Sequence, residues 1–201
     1  MTDRRIEKVN NLCKNEGPII RSSALKASGF CEKDTEELIR LSHLQRLRRG
    51  YYVSPMNLDS IDTYAMLSVM VPDAVISLFS AAQYHDLSNV IPAKIDITLP
   101  AHKRIPILPD DFQVKVHKVI PHIYDVGIES IEKDGVRMKI YDRERTVCDF
   151  FRMRLKIGKD CAFEVLKNYM AGTRQLQKLS EYSGLLQIKG VLYPYLEVLS
   201  A

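Results

Sequence analysis

The amino-acid sequence predicts an α+β protein: a small basic N-terminal part joined to a larger domain with an antiparallel sheet and a helical C-terminal third. Three observations carry that prediction. Residues 1–55 alternate short helical patterns with one arginine-rich hairpin. Residues 95–140 hold apolar–polar alternations of period two, the mark of half-buried strands. After Asp142, apolar residues recur at helical spacing to the end of the chain. The expected domains are 1–55 and 60–201, with a polar linker near Ser54–Ser60.

Composition narrows the class. A chain of 201 residues with 46% hydrophobic and 27% charged content is ordinary for a globular protein. No apolar run approaches the ~20 residues needed to span a bilayer. The start, MTDRRIEKVNNLCK, lacks the apolar core of a signal peptide, so a cytoplasmic location is expected. Cys13, Cys31, Cys148 and Cys161 are widely spaced with no CxxC pair, which points to reduced, buried thiols rather than zinc or disulfides. No cofactor is implied. Residues 1–55 carry 11 Lys and Arg against 7 Asp and Glu, while residues 56–201 carry 18 of each sign. The whole excess of +4 therefore sits in the N-terminal part, which suits a polyanionic partner.

Ile6, Val9, Leu12 and Cys13 predict an amphipathic helix over 3–15, ended by Asn15, Gly17 and Pro18. Ser22 or Ser23 is an N-cap candidate for a short helix running to Ser28. Gly29 supplies the turn to a second helix, Lys33–His43, whose buried face is read as Leu38 and Leu41 helped by Ile39. A hairpin then returns from Leu44 to Val53, with Gly50 permitting positive φ at its turn. Helix, turn, helix and basic hairpin in that order spell a winged helix-turn-helix. Its second helix carries Glu32, Asp34, Glu36 and Glu37, so the arginines of the wing are the better phosphate contacts. Residues expected to touch double-stranded DNA are Arg21, Ser22, Ser23, Lys26, Lys33, Arg40, Arg46, Arg48 and Arg49.

Beyond the linker, Ile61, Ala65, Leu67 and Val69 predict a helix that stops before Pro72 and opens the second domain. Residues 74–77 form a short apolar run, and 80–87 regain helical character. Strands are expected over 95–100 and around Val114 and Val116. Asp134-Gly135 between alternating segments is the strongest local signal and predicts a hairpin joining 128–133 to 136–140. Asp142 is the expected N-cap of a helix with Val147, Phe150 and Phe151 on its apolar face. Helices follow around Ala162–Tyr169, Leu176–Leu179 and Val191–Leu199.

Four blocks in this order resemble the AbiEi-type antitoxins of bacterial type IV toxin–antitoxin and phage abortive-infection systems. They are Leu47-Arg48-Arg49-Gly50-Tyr51-Tyr52 at the wing; Ile76-Ser77 with Ser80-Ala81-Ala82 and His85-Asp86-Leu87; the strand Ile95-Asp96-Ile97-Thr98-Leu99-Pro100; and Arg145-Thr146-Val147-Cys148-Asp149. Together they span nearly the whole chain. Two positions depart from the family's pattern: Asp86 replaces a small residue before Leu87, and His43 stands where a glycine often ends the recognition helix. The resemblance implies two jobs. The head would bind inverted repeats in its own promoter and repress the operon. The C-terminal domain would counter a nucleotidyltransferase-like toxin, without an obligatory stable complex.

Catalysis is the weaker expectation. His85 with Asp86, Asp96, His102, Asp110 with Asp111, His117 and His122 are the groups that acid–base or metal chemistry would use. Asp96 with Lys94 comes nearest to a nuclease-like set, but on an alternating strand both read as a solvated face. Ser80 reads as close packing, and Arg145 with Asp149 as an i,i+4 ion pair fixing a helix start. No P-loop, nucleophile elbow or dinucleotide fingerprint is present. Besides the antitoxin and repressor, a winged-helix adaptor that binds only protein stays open, as does a nuclease-like enzyme.

Overall fold

The computed structural model describes residues 3–15, 17–105, 107–109 and 112–200. The chain is α+β and divides into two compact units. The first comprises Met1–Pro72 and Ile131–Met138; the second comprises Asp73–Ser130 and Lys139–Ala201.

In the first unit, helix α1 (Asp3–Asn15) leads into strand β1 (Ile19–Arg21), helix α2 (Ser22–Ala27) and helix α3 (Glu32–Arg40). Strands β2 (Gln45–Arg48) and β3 (Tyr51–Val53) close an antiparallel sheet of order β1-β3-β2. This is a winged helix-turn-helix. Its core is Val9, Cys13, Ile20, Leu25, Phe30, Leu38, Leu44 and Tyr52, drawn from α1, β1, α2, α3 and β3 and from the turns before α3 and β2. Six of those eight are valine, isoleucine, leucine or phenylalanine side chains, each contributing about 1.5–3 kcal/mol when fully buried.

Three local expectations are corrected here. Ser22 and Ser23 do not cap α2: Arg21 is the N-cap residue, because it still pairs with Tyr51 as part of β1. The Ser22 N–H is instead satisfied by the Gly50 carbonyl at 2.8 Å. Helix α3 ends at Arg40 rather than His43, so Leu41 is exposed and Thr35 joins Leu38 on the buried face. Ser42, at φ 57, holds the left-handed position of the helix end, and the His43 and Ser42 N–H groups donate to Leu38 and Ile39 carbonyls. That is a Schellman closure with serine where glycine is common.

A 3-10 helix, Pro55–Ser60, occupies the expected linker and precedes α4 (Thr63–Met70). Asp62 caps α4 by accepting from the Tyr64 and Ala65 N–H groups. Helix α4 packs on β2 of the head rather than opening the second unit. Its Ala65–Met70 side chains are all buried, which is why the segment has no polar face to read.

The second unit holds β4 (Val75–Ile76), α5 (Leu78–Tyr84), β5 (Ile95–Pro100), β6 (Val114–Val119) and α6 (Pro121–Tyr124), and it shares with the first unit the strands β7 (Ile128–Lys133) and β8 (Val136–Tyr141). Helices α7 (Arg143–Ile157), α8 (Lys159–Ala171), α9 (Leu176–Leu185) and α10 (Lys189–Ser200) form the C-terminal third. The sheet order is β6-β5-β4-β8-β7. The sheet is mixed rather than purely antiparallel: β5 runs parallel to β6, and β4 parallel to β8. A parallel pair needs a return connection of a dozen or so residues, and the stretch between Pro100 and Val114 is long enough. Asp134 (φ 53) and Gly135 (φ 71) make the two-residue turn of the β7–β8 hairpin, whose tip belongs to the first unit. There the Asp134 carboxylate accepts from the Asp62 N–H at 2.8 Å.

The helical core gathers Val147, Phe150 and Phe151 of α7 with Ala162, Val165, Leu166 and Tyr169 of α8 and with residues of α5, α9 and α10. Phe79 meets Phe150 edge-to-face at 4.9 Å, an arrangement worth about 0.5–1.5 kcal/mol beyond area burial. Asp142 caps α7 as expected, its Oδ1 accepting from the Arg145 N–H at 2.7 Å. Among the described residues, no helix is long and apolar enough to cross a membrane.

Candidate nucleic-acid interface

The register of the wing decides which predicted contact residues share a surface. On β3, Tyr52 lies opposite Ile20 of β1 and Arg46 of β2, and direct cross-strand partners project to the same face. Tyr52 and Ile20 belong to the head's core, so Arg46 flanks the helical side, its guanidinium 5.8 Å from the Tyr52 ring centroid. A β-bulge between Arg46 and Arg48 then shifts the pairing by one residue, setting Arg48 opposite Tyr51. Arg21 also pairs with Tyr51. Arg21 and Arg48 therefore project from the opposite face to Arg46. Plain alternation would have kept Arg46 and Arg48 together; the bulge separates them.

On the helical side, a cleft of about 200 Å³ runs between α2, the start of α3 and the wing turn. Ser22, Lys26, Glu32, Arg49 and Tyr52 line it. Gly50, at φ +84, makes the turn, and a Cβ there would stand 3.4 Å from the Ser22 hydroxyl. Lys26, Lys33, Arg46 and Arg49 are exposed, and none has an ion-pair partner among the described residues. Ser23 and Arg40 are exposed as well, Arg40 in the last turn of α3.

The acidic start of α3 is partly neutralised. The Asp34 carboxylate accepts from the Cys31 N–H at 2.9 Å and pairs with Arg5 of α1. The Cys31 backbone bond, with Arg5 beside it, holds the Asp34 carboxyl below its ordinary range. Glu32 and Glu36 are left exposed.

Of the groups that catalysis would use, Asp96 and His117 meet, and the others among the described residues lie apart from them. Asp96 is buried rather than solvated, because β5 is an interior strand covered on both faces. Its Oδ1 lies 2.7 Å from His117 Nε2, and its N–H donates to the fully buried Ser80 hydroxyl at 2.9 Å. Lys94 is exposed before the strand begins, so it is not Asp96's partner. His85, the C-cap of α5, has its Nε2 2.8 Å from the Tyr141 carbonyl, and Asp86 follows it in the left-handed region at φ 56. His102 and His122 are exposed; Asp110 and Asp111 lie outside the described residues. No group of three or more His, Cys, Asp or Glu side chains that could hold a metal ion occurs among the described residues. All four cysteines are free, but only Cys13 and Cys148 are buried; Cys31 is exposed.

Arg145 and Asp149 form the expected i,i+4 pair at 3.1 Å, entirely buried. Arg145 also donates to the Ile123 and Val126 carbonyls at 2.5 and 2.7 Å and lies 4.1 Å over the Tyr141 ring. Arg152 reaches the other Asp149 oxygen at 3.0 Å. Beside them, Asp142 and Glu144 share Lys178, while Tyr182 and Tyr169 donate to Asp142 and Glu144. Burial lowers the Lys178 ammonium, but its bond to Asp142 outweighs that, and the net shift is upward. A buried network with so many partners is a structural knot at the start of α7.

No family model matches the chain, and no curated protein does. Among solved structures, it is similar to the RV2827C protein from Mycobacterium tuberculosis, with a TM-score of 0.54 and 18% identity across 100% of this chain and 82% of that one. A likeness at that identity bears on fold alone.

Proposed function

We propose that the chain is a cytoplasmic antitoxin of the AbiEi type that represses its own operon. The head binds inverted repeats in its promoter. The larger unit, acting by binding rather than catalysis, counters a nucleotidyltransferase-like toxin without needing a stable complex. The observation that supports this reading best is the set of exposed cations around the helical side of the wing, Lys26, Lys33, Arg46 and Arg49, which have no ion-pair partner among the described residues. A helix of the head would enter the major groove while Arg46 and Arg49 meet the adjacent phosphates.

The test is a mobility-shift titration on the DNA upstream of the gene, against a scrambled duplex, at two salt concentrations. A specific shift is expected. Arg46→Ala with Arg49→Ala should remove about two phosphate contacts and flatten the log-affinity versus log-salt slope by about 1.8. Equal shifts on both duplexes, or none, would overturn the repressor reading. The exposed Glu32 and Glu36 on α3 favour one rival, a winged-helix adaptor that binds protein and shows no salt-dependent DNA affinity.

A further inference from the structure

We propose that the outer face of the wing sheet carries a binding site for a phosphate-type oxyanion, cradled by Arg21, Arg48 and Arg137 with the hydroxyls of Ser68 and Tyr51. Its geometry begins with the bulge in β2. By setting Arg48 opposite Tyr51, it puts Arg48, Tyr51 and Arg21 side by side on one face of three adjacent strands. Arg137 of β8 and Ser68 of α4 complete the lining of a cleft of about 200 Å³. Every lining residue belongs to the first compact unit.

Three features point to an anion. No carboxylate lines the cleft, and none pairs with the three arginines among the described residues. Among the described residues, the one side-chain hydrogen bond they make is from Arg48 to the Val69 carbonyl, a long 3.5 Å bond. Three guanidiniums around one small cavity repel one another, and an oxyanion relieves that while accepting their forked donors. Finally, the Ser68 hydroxyl is nine-tenths buried, lines the cleft and has no hydrogen-bond partner. A buried hydroxyl left unpaired is costly and calls for an acceptor or donor to meet it.

The end of α4 presents its carbonyls nearby, equivalent to about half a negative charge. Three full positive charges outweigh it. The volume suits one phosphate group rather than a whole nucleotide, since sites for drug-sized ligands run to about 300–1,000 Å³. The group is either a free phosphate or a phosphate of a DNA backbone, and the site does not depend on operator recognition.

The experiment is thermal unfolding of the full chain by circular dichroism, titrated with inorganic phosphate against chloride at matched ionic strength. It is paired with the salt dependence of binding to a generic DNA duplex. Phosphate should raise Tm of the wild type beyond chloride, and Arg137→Gln should weaken that response about tenfold, since a charge-assisted forked contact is lost. If Arg137→Gln also flattens the duplex salt slope by about 0.9, the group is a backbone phosphate; if the slope is unchanged while the phosphate response falls, it is a free phosphate. If neither readout depends on Arg137, the proposal is overturned. Should Arg137→Gln fail to fold, Ser68→Ala and Tyr51→Phe, which each delete one hydroxyl, carry the same comparison.

Discussion

Substituting Gly127→Ala should be among the most damaging single-methyl changes in this protein. Gly127 stands at φ +76, and a Cβ placed there would lie 2.5 Å from Arg145 Cβ and 3.1 Å from both Arg145 Cγ and Tyr182 Cε2. The left-handed backbone costs an alanine about 1–2 kcal/mol. Overpacking adds about 1–3 kcal/mol, because Arg145 has nowhere to go. Its guanidinium is tied to Ile123, Val126 and Asp149, and its α7 backbone is capped by Asp142. Gly127 cannot retreat freely either, since its own carbonyl accepts from the Asp142 N–H at 2.8 Å. Restricting the unfolded chain returns about 0.4–1 kcal/mol. The net loss is about 2–4 kcal/mol, which at about 2–4 °C per kcal/mol for a chain of this size lowers Tm by roughly 5–15 °C. Urea and thermal unfolding followed by circular dichroism read this directly. A Tm within about 2 °C of wild type would mean that Arg145 shifts at little cost, and the knot at the start of α7 would not be rigid.

Two further outcomes follow from other parts of the fold. Gln187 closes α9 at φ 56, with its N–H and that of Ile188 donating to Gly184 and Ser183 carbonyls, so Gln187→Gly should stabilise the protein by about 0.5–1 kcal/mol in urea unfolding. A loss of stability instead would show that the glutamine side chain makes a contact of its own. On the alkaline side, burial pushes the phenols of Tyr124 and Tyr182 up to about 12, with neighbouring carboxylates adding to the effect. The folded state thus holds protons that the unfolded state releases near pH 10, so stability is full below about pH 10 and is lost as pH climbs toward 12. Tm measured across that window should fall less steeply in Tyr124→Phe; an unchanged slope would assign the alkaline loss to other groups.

Local signals were the legible ones. Asp134-Gly135 could be read as a tight turn because both residues tolerate positive φ, and Asp142 as a cap because a carboxylate before a helical pattern meets orphan N–H groups. The Arg145–Asp149 pair followed from i,i+4 spacing. Spacing gave no sign that the pair is buried among the Ile123 and Val126 carbonyls, which lie about twenty residues away in sequence. The burial of Asp96 is hidden for a related reason: alternation predicts exposure only when one face of a strand meets water, and β5 lies inside the sheet. The exposure of Leu41 escapes apolar spacing because Ser42 ends α3 by adopting a left-handed backbone without glycine's signature.

By itself, then, the sequence determined what depends on neighbours along the chain: helix and strand periods, the basic wing, the hairpin turn and the cap of α7. The tertiary structure alone decided what depends on partners far apart in the chain. It placed α4 on the head, ran β6 parallel to β5, buried Asp96 against His117, and brought Arg137 and Ser68 to the wing. The division of the wing arginines belongs to the second kind. Arg46 and Arg48 look alike in sequence, two residues apart on one strand, but a single bulged residue sends them to opposite faces. A β-strand has a side-chain period of two, so one inserted residue reverses every direction beyond it, and composition carries no trace of that reversal.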